Sequence, residues 1–152
     1  MTDRTGDAAL PVGVAVFRAL TAAAVLLSSV IHLNLWFEGY RDVAFIGPAF
    51  LANAVAGLVI AVLVLAWRSG WALLAAVAFG AATLGAFIMS ATVGLFDIQQ
   101  QVMDTPQVLS VVAESAAIVF AVIAGWIDRG QRRPTPTARG SASRFHPASG
   151  RG

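Results

Sequence analysis

Four long apolar stretches, separated by short polar segments, set the pattern of this chain. The first runs from about Val12 to Leu35 and the second from about Pro48 to Trp67. After the break Arg68-Ser69-Gly70, the third runs from Trp71 to about Phe96, and the fourth spans about Val108 to Ile127. A hydrocarbon core about 30 Å thick is crossed by roughly 20 apolar residues in a helix, and each stretch reaches that length. Only helices and closed barrels satisfy backbone groups in lipid, and these runs lack the alternation of barrel strands. The expected fold is therefore all-α, an integral membrane four-helix antiparallel bundle over residues 12–127, with short loops joining neighbours as hairpins. Pro48 and Pro106 each follow a polar segment and suit the first turn of the helix they open.

The polar positions fix the expected orientation. Arg4 and Arg18 flank the start of the first helix, Arg68 lies in the second loop, and Arg129, Arg132 and Arg133 follow the fourth helix. The first and third loops hold one arginine, Arg41, against Glu38, Asp42, Asp97 and Asp104. By the positive-inside rule, both termini and the second loop are expected in the cytoplasm of a bacterial cell, and an even helix count agrees. The first apolar run is longer than the core of a signal peptide, and no small-x-small site follows it, so it reads as a retained helix. Residues 1–11 form a cytoplasmic segment in this scheme. Residues 128–152, rich in Arg, Gly, Ser, Thr and Pro, form a disordered cytoplasmic tail whose arginines suit anionic headgroups.

Composition supports the membrane. Hydrophobic residues make up 58% of the chain and charged residues 12%, against roughly 25% charged in a soluble domain. There is no cysteine, which excludes disulfides, thiol redox chemistry and cysteine-held metals. Every basic residue is arginine, a mark of GC-rich coding, and the net charge of +2 does not call for nucleic acid. The expected partner is the lipid bilayer, with a second copy or another membrane protein compatible with it.

Each apolar stretch carries a stripe of small or weakly polar residues at helical spacing. Thr21, Ser28, Ser29 and His32 mark the first, and Asn53, Gly57 and Ala61 the second. Gly80, Thr83, Ala86 and Ser90 mark the third, and Ser110, Glu114, Ala117 and Ala121 the fourth. Close helix packing explains most of this, because small residues let helices approach in lipid. The depth of the polar ones is more specific. His32 lies about one turn from the outer end, Asn53 about one turn in from Pro48, and Glu114 about two turns below Pro106. Glu114 is the only carboxylate well inside an apolar stretch, and an acid there marks a functional-site hypothesis. It needs a partner, and His32 or Arg41 is available to supply one. A plain tie between two helices is the competing account. His32 stands alone in the apolar stretches, because His146 lies in the tail, so paired-histidine haem ligation is excluded. No spacing calls for a metal or cofactor, and no phosphate loop or nucleophile motif is present. The outer segment from Trp36 to Pro48 is expected to fold back over the bundle and lid the polar layer.

The run His32-Leu33-Asn34-Leu35-Trp36, then Gly39-Tyr40-Arg41, then Ile46-Gly47-Pro48-Ala49-Phe50-Leu51, resembles a pattern in four-helix integral membrane proteins of actinobacteria. Thr92-Val93-Gly94-Leu95-Phe96 and Val112-Ala113-Glu114 are similar to their third and fourth helices, so the likeness covers roughly residues 14 to 127. It implies the same four-helix fold and an outer polar layer as its distinguishing feature, and it carries no catalytic residues. Small multidrug transporters also combine four helices with one membrane glutamate, but theirs sits in the first helix. The favoured function is a non-enzymatic accessory, sensing or ligand-binding membrane subunit whose outer layer contains Glu114, His32, Asn53 and Arg41. The alternative is a small proton-coupled transporter using Glu114.

Overall fold

The computed structural model describes residues 10–92 and 105–131. Within them the chain forms four α-helices and one 3-10 turn, with no strand. Helix α1 is Val12–Phe37, α2 is Ile46–Ala66, α3 is Gly70–Thr92 and α4 is Thr105–Gln131, and the 3-10 turn is Tyr40–Asp42. All four helices are long and apolar enough to cross a membrane. At about 1.5 Å per residue, the 21 residues of α2 just span a hydrocarbon core, and the 26 of α1 and 27 of α4 exceed it.

Four helix boundaries differ from the apolar pattern by more than one residue. Helix α1 continues through Trp36 and Phe37 and stops at Gly39, whose φ of 121° breaks the helix and suits glycine alone. Helix α2 starts two residues before Pro48, behind Phe45 at a φ of 67°, so the proline sits inside the first turn, where no backbone donor is missed. Helix α4 starts at Thr105 and carries on through Asp128 and Arg129 to Gln131. Those positions were expected to begin the tail, but an established helix propagates through polar residues at little cost. Arg4, Asp97, Asp104, Arg132, Arg133 and the remaining tail lie outside the described residues, as do Val93 to Phe96.

The core is a seam of small residues. Val25 of α1, Ala61 and Val64 of α2, Ala76 of α3, and Ala117, Ala121 and Ala124 of α4 are almost completely buried. Two glycines bring backbones together. A Cβ on Gly57 would overlap Ser29 Oγ, and one on Gly80 would meet Ile118 Cγ1 at 2.8 Å and the Glu114 carbonyl oxygen at 3.0 Å. The leucines, valines and isoleucines face outward instead. Leu27, Val30, Leu58, Val62, Leu65, Leu74, Val119 and Val122 are among the exposed side chains. So continuous an apolar exterior is unsustainable in water and matches lipid. Trp67, Trp71 and Trp126 stand exposed near the α2–α3 connection and the end of α4, the pattern of an interfacial aromatic belt.

The ends of the helices correspond in a fixed way. Arg18, near the start of α1, reaches the end of α2, and His32, near the end of α1, reaches Phe50 near the start of α2. Gly47 is pressed against the backbone of Tyr40 and Arg41, so the 3-10 turn rests on the first turn of α2.

Candidate functional site

A cavity of about 240 Å³ opens between the helices at the Glu114 end of the bundle, and each helix gives it a polar group. His32 comes from α1, Asn53 from α2, Thr83 from α3, and Gln107, Ser110 and Glu114 from α4. The cavity exists because α3 leaves the core after Gly80. From Ala81 to Thr92 no residue of α3 is buried. The small side chains of Ala49, Ala82 and Ala86 leave the gap open between the Phe50 and Phe87 rings that also line it.

Among the described residues Glu114 is the best-buried acid, 2% exposed. Its Oε1 accepts the hydroxyl hydrogen of Ser110 at 2.9 Å, from one turn earlier on the same helix, and that of Ser28 on α1 at 3.1 Å. Thr83 of α3 lines the same cavity, its hydroxyl donated to a carbonyl oxygen of its own helix. Two donors on one carboxyl oxygen offset much of the cost of removing that group from water. They also tie α4 to α1.

Below the same serine, His32 Nδ1 lies 2.8 Å from the Ser28 carbonyl oxygen. A carbonyl only accepts, so Nδ1 carries the hydrogen and, in the neutral ring, Nε2 is the acceptor. The ring stands edge-on to Phe50 at 5.4 Å, and Phe50 in turn packs against Tyr40 of the 3-10 turn at 5.3 Å. The outer segment thus packs on α2 through Tyr40, while the residues lining the cavity come from the helices and not from the 3-10 turn. Two buried polar atoms have no partner among the described residues, Asn53 Nδ2 and Gln107 Oε1, and both residues line the cavity.

Three of the four expected site residues therefore meet. Glu114, His32 and Asn53 share one cavity, and Arg41 is elsewhere. Its side chain is 58% exposed and its Nε lies 3.4 Å from Asp42 Oδ2, so its charge is balanced by its neighbour and by solvent. Placing Arg41 beside Glu114 is corrected by the 3-10 turn, which points this side chain away. Gln107 was missed because the fourth helix was started one residue after it. The spacing Gln107, Ser110, Glu114 puts all three on one face once the helix begins at Thr105.

A second polar site lies at the opposite end. Arg18, expected to flank the start of the first helix and to set topology, is only 4% exposed. Its Nε and Nη2 donate to the Val64 carbonyl oxygen at 3.0 and 2.7 Å, and Nη2 also donates to that of Trp67. The last carbonyls of a helix lack intrahelical partners and carry partial negative charge, so a guanidinium is well matched to them. Asp128, in the last turn of α4, is within electrostatic reach of the same arginine. The signal was present in the sequence, since Arg18 stands two turns inside the apolar stretch, too deep for a simple flank.

Among the described residues no cluster of His, Asp or Glu is arranged to hold a metal ion. No family model matches the chain, and no curated protein or solved structure matches it.

Proposed function

We propose that this protein is a non-enzymatic multi-pass membrane subunit that binds a small polar molecule in the cavity around Glu114. The helices would form an antiparallel bundle in a bacterial inner membrane, both termini cytoplasmic, with the cavity in the outer half. Two arginines, Arg68 and Arg129, with Asp128 at one end, against one, Arg41, with Glu38 and Asp42 at the other, support that orientation. The likeness to four-helix membrane proteins of actinobacteria agrees with an outer polar layer.

The observation that carries the proposal is the pair of unpartnered buried groups, Asn53 Nδ2 and Gln107 Oε1, in the same cavity as Glu114. A buried polar atom without a partner costs about 1–3 kcal/mol, and a bound molecule with complementary atoms recovers it. Concave, mostly apolar sites with a few convergent polar groups are the usual form of a small-molecule pocket.

The alternative, proton-coupled transport through Glu114, needs polar groups through both halves of the bundle. Between Glu114 and Arg18 the interior is chiefly Val25, Ala61, Phe79, Ala117 and Ala121, and the one buried hydroxyl there among the described residues, Thr21, donates to the Phe17 carbonyl oxygen of its own helix. That layer favours binding over transport. The test is a thermal-shift screen of small polar compounds on the purified chain, repeated on Ala86→Leu, which fills the cavity wall. Stabilisation of the parent but not the variant is expected. Failure of every compound, or proton flux in proteoliposomes that disappears in Glu114→Gln, would overturn the proposal.

A further inference from the structure

The proposal above leaves the ligand's chemistry open, and the hydrogen inventory of the cavity narrows it. Resting on that reading, we infer that the cavity takes a small amphiphilic organic cation, an ammonium group on a short apolar body that also bears a hydrogen-bond acceptor.

The hydroxyl donors of the wall face inward on the protein itself. Ser28 and Ser110 both give their hydrogens to Glu114 Oε1, and the single hydrogen of Thr83 goes to the Phe79 or Gly80 carbonyl oxygen, at 2.9 and 3.1 Å. His32 Nδ1 is held by the Ser28 carbonyl. What the wall offers a ligand is therefore chiefly acceptors, the Glu114 carboxyl and Gln107 Oε1, and a group with several N–H donors complements them. An anion would face the Glu114 carboxyl with no arginine in the wall, Arg41 lying outside it. Such a like-charge contact is costly in a low-dielectric site. Asn53 Nδ2 is the donor left over, and it calls for one acceptor atom on the ligand. Phe50 and Phe87 supply aromatic walls, which suit an ammonium and the carbons next to it. At about 30 Å³ per water, a space of about 240 Å³ has room for roughly eight waters, or a body of about that many heavy atoms.

An ammonium of this kind exists as a free amine or as the ethanolamine headgroup of a lipid, and the two sources can be separated. The experiment measures binding to the full chain in phosphatidylglycerol nanodiscs by calorimetry, with a series of similar size that keeps one ether acceptor and changes the charged group: 2-phenoxyethylammonium, 2-phenoxyethanol and phenoxyacetate. The ammonium is expected to bind at least about tenfold more tightly than the alcohol, the carboxylate not at all. Glu114→Gln should erase the preference for ammonium over alcohol, because both serines can still donate to the amide oxygen and keep the helices tied. Should that variant fail to fold, the charge series on the parent protein and Gln107→Met still decide the matter, the latter expected to lower ammonium affinity severalfold. Adding phosphatidylethanolamine to the nanodiscs weakens probe binding if the lipid headgroup is the natural occupant and leaves it unchanged if a free amine is. Equal affinity for ammonium and alcohol would overturn the cation while leaving the cavity a ligand site. Binding of none of the three would remove both.

Discussion

Glu114 holds two roles that can be pulled apart one hydrogen bond at a time. Its Oε1 joins Ser110 on its own helix and Ser28 on α1, so only the second bond ties two helices. Interhelical hydrogen bonds in membranes average about 0.6 kcal/mol, with a maximum near 1.7. Ser28→Ala is therefore expected to lower stability by about that much, and Ser110→Ala by less, both read from unfolding midpoints in mild detergent. A double-mutant cycle of Ser28→Ala with Glu114→Gln should show coupling of the same size and leave bilayer insertion intact. Coupling near zero would mean that the carboxyl is held by the cavity and not by α1. At this scale the sequence was informative about which residue mattered and silent about its partners. An acid deep in an apolar stretch is visible by inspection. That its partners are serines, and not His32 or Arg41, depends on rotations of α1 and of the 3-10 turn that no spacing specifies.

Helix ends and helix crossings were less legible than helix identity, because capping and close approach depend on tertiary neighbours. Apolar length alone identifies all four helices, yet it ends α4 before Asp128 and does not say what Arg18 bonds to. The arginine's real surroundings are the carbonyls of Val64 and Trp67, contributed by a helix 46 residues away in sequence. Arg18→Met keeps the length of the side chain and removes its donors, leaving those carbonyls unmatched in a buried setting. The expected loss is about 1–3 kcal/mol, with Arg18→Lys restoring part of it, because an ammonium can donate to the same oxygens without the planar fork. Thermal unfolding of the three proteins side by side checks the order. Gly80 offers a second test of the same kind. Gly80→Val would push α3 off α4 at Ile118 and at the Glu114 backbone, at a cost of about 1–3 kcal/mol for overpacking. It should also disturb the cavity, whereas Gly57→Val, which overlaps Ser29 of α1 and meets the Phe79 ring of α3 at 3.0 Å, should destabilise chiefly at the contact of α1 with α2.

For the molecule as a whole, the proposed orientation predicts which end faces the cytoplasm, and the chain is well suited to testing it. It contains no cysteine, so a single introduced thiol is the only label site. Asp42 lies in the 3-10 turn with its side chain 83% exposed, and Gly70 and Gly130 stand at the other end with open space where a Cβ would go. In the proposed orientation, Asp42→Cys reacts with a membrane-impermeant maleimide on intact spheroplasts. Gly70→Cys and Gly130→Cys react only after permeabilisation. The charge argument behind this weakens slightly once Arg18 is seen to be buried, because a guanidinium bonded to α2 carbonyls is no longer a free surface charge. Arg68 and Arg129 then carry the bias among the described residues. Reversing it should take more than one change: Arg68→Glu alone is expected to leave the labelling pattern as it is, and Arg68→Glu with Arg129→Glu to produce a mixed population. Labelling of Gly70→Cys from outside in otherwise unaltered protein would invert the bundle and move the Glu114 cavity to the cytoplasmic half. The cavity would then draw its ligand from the cell interior, with the same donors and acceptors in its wall.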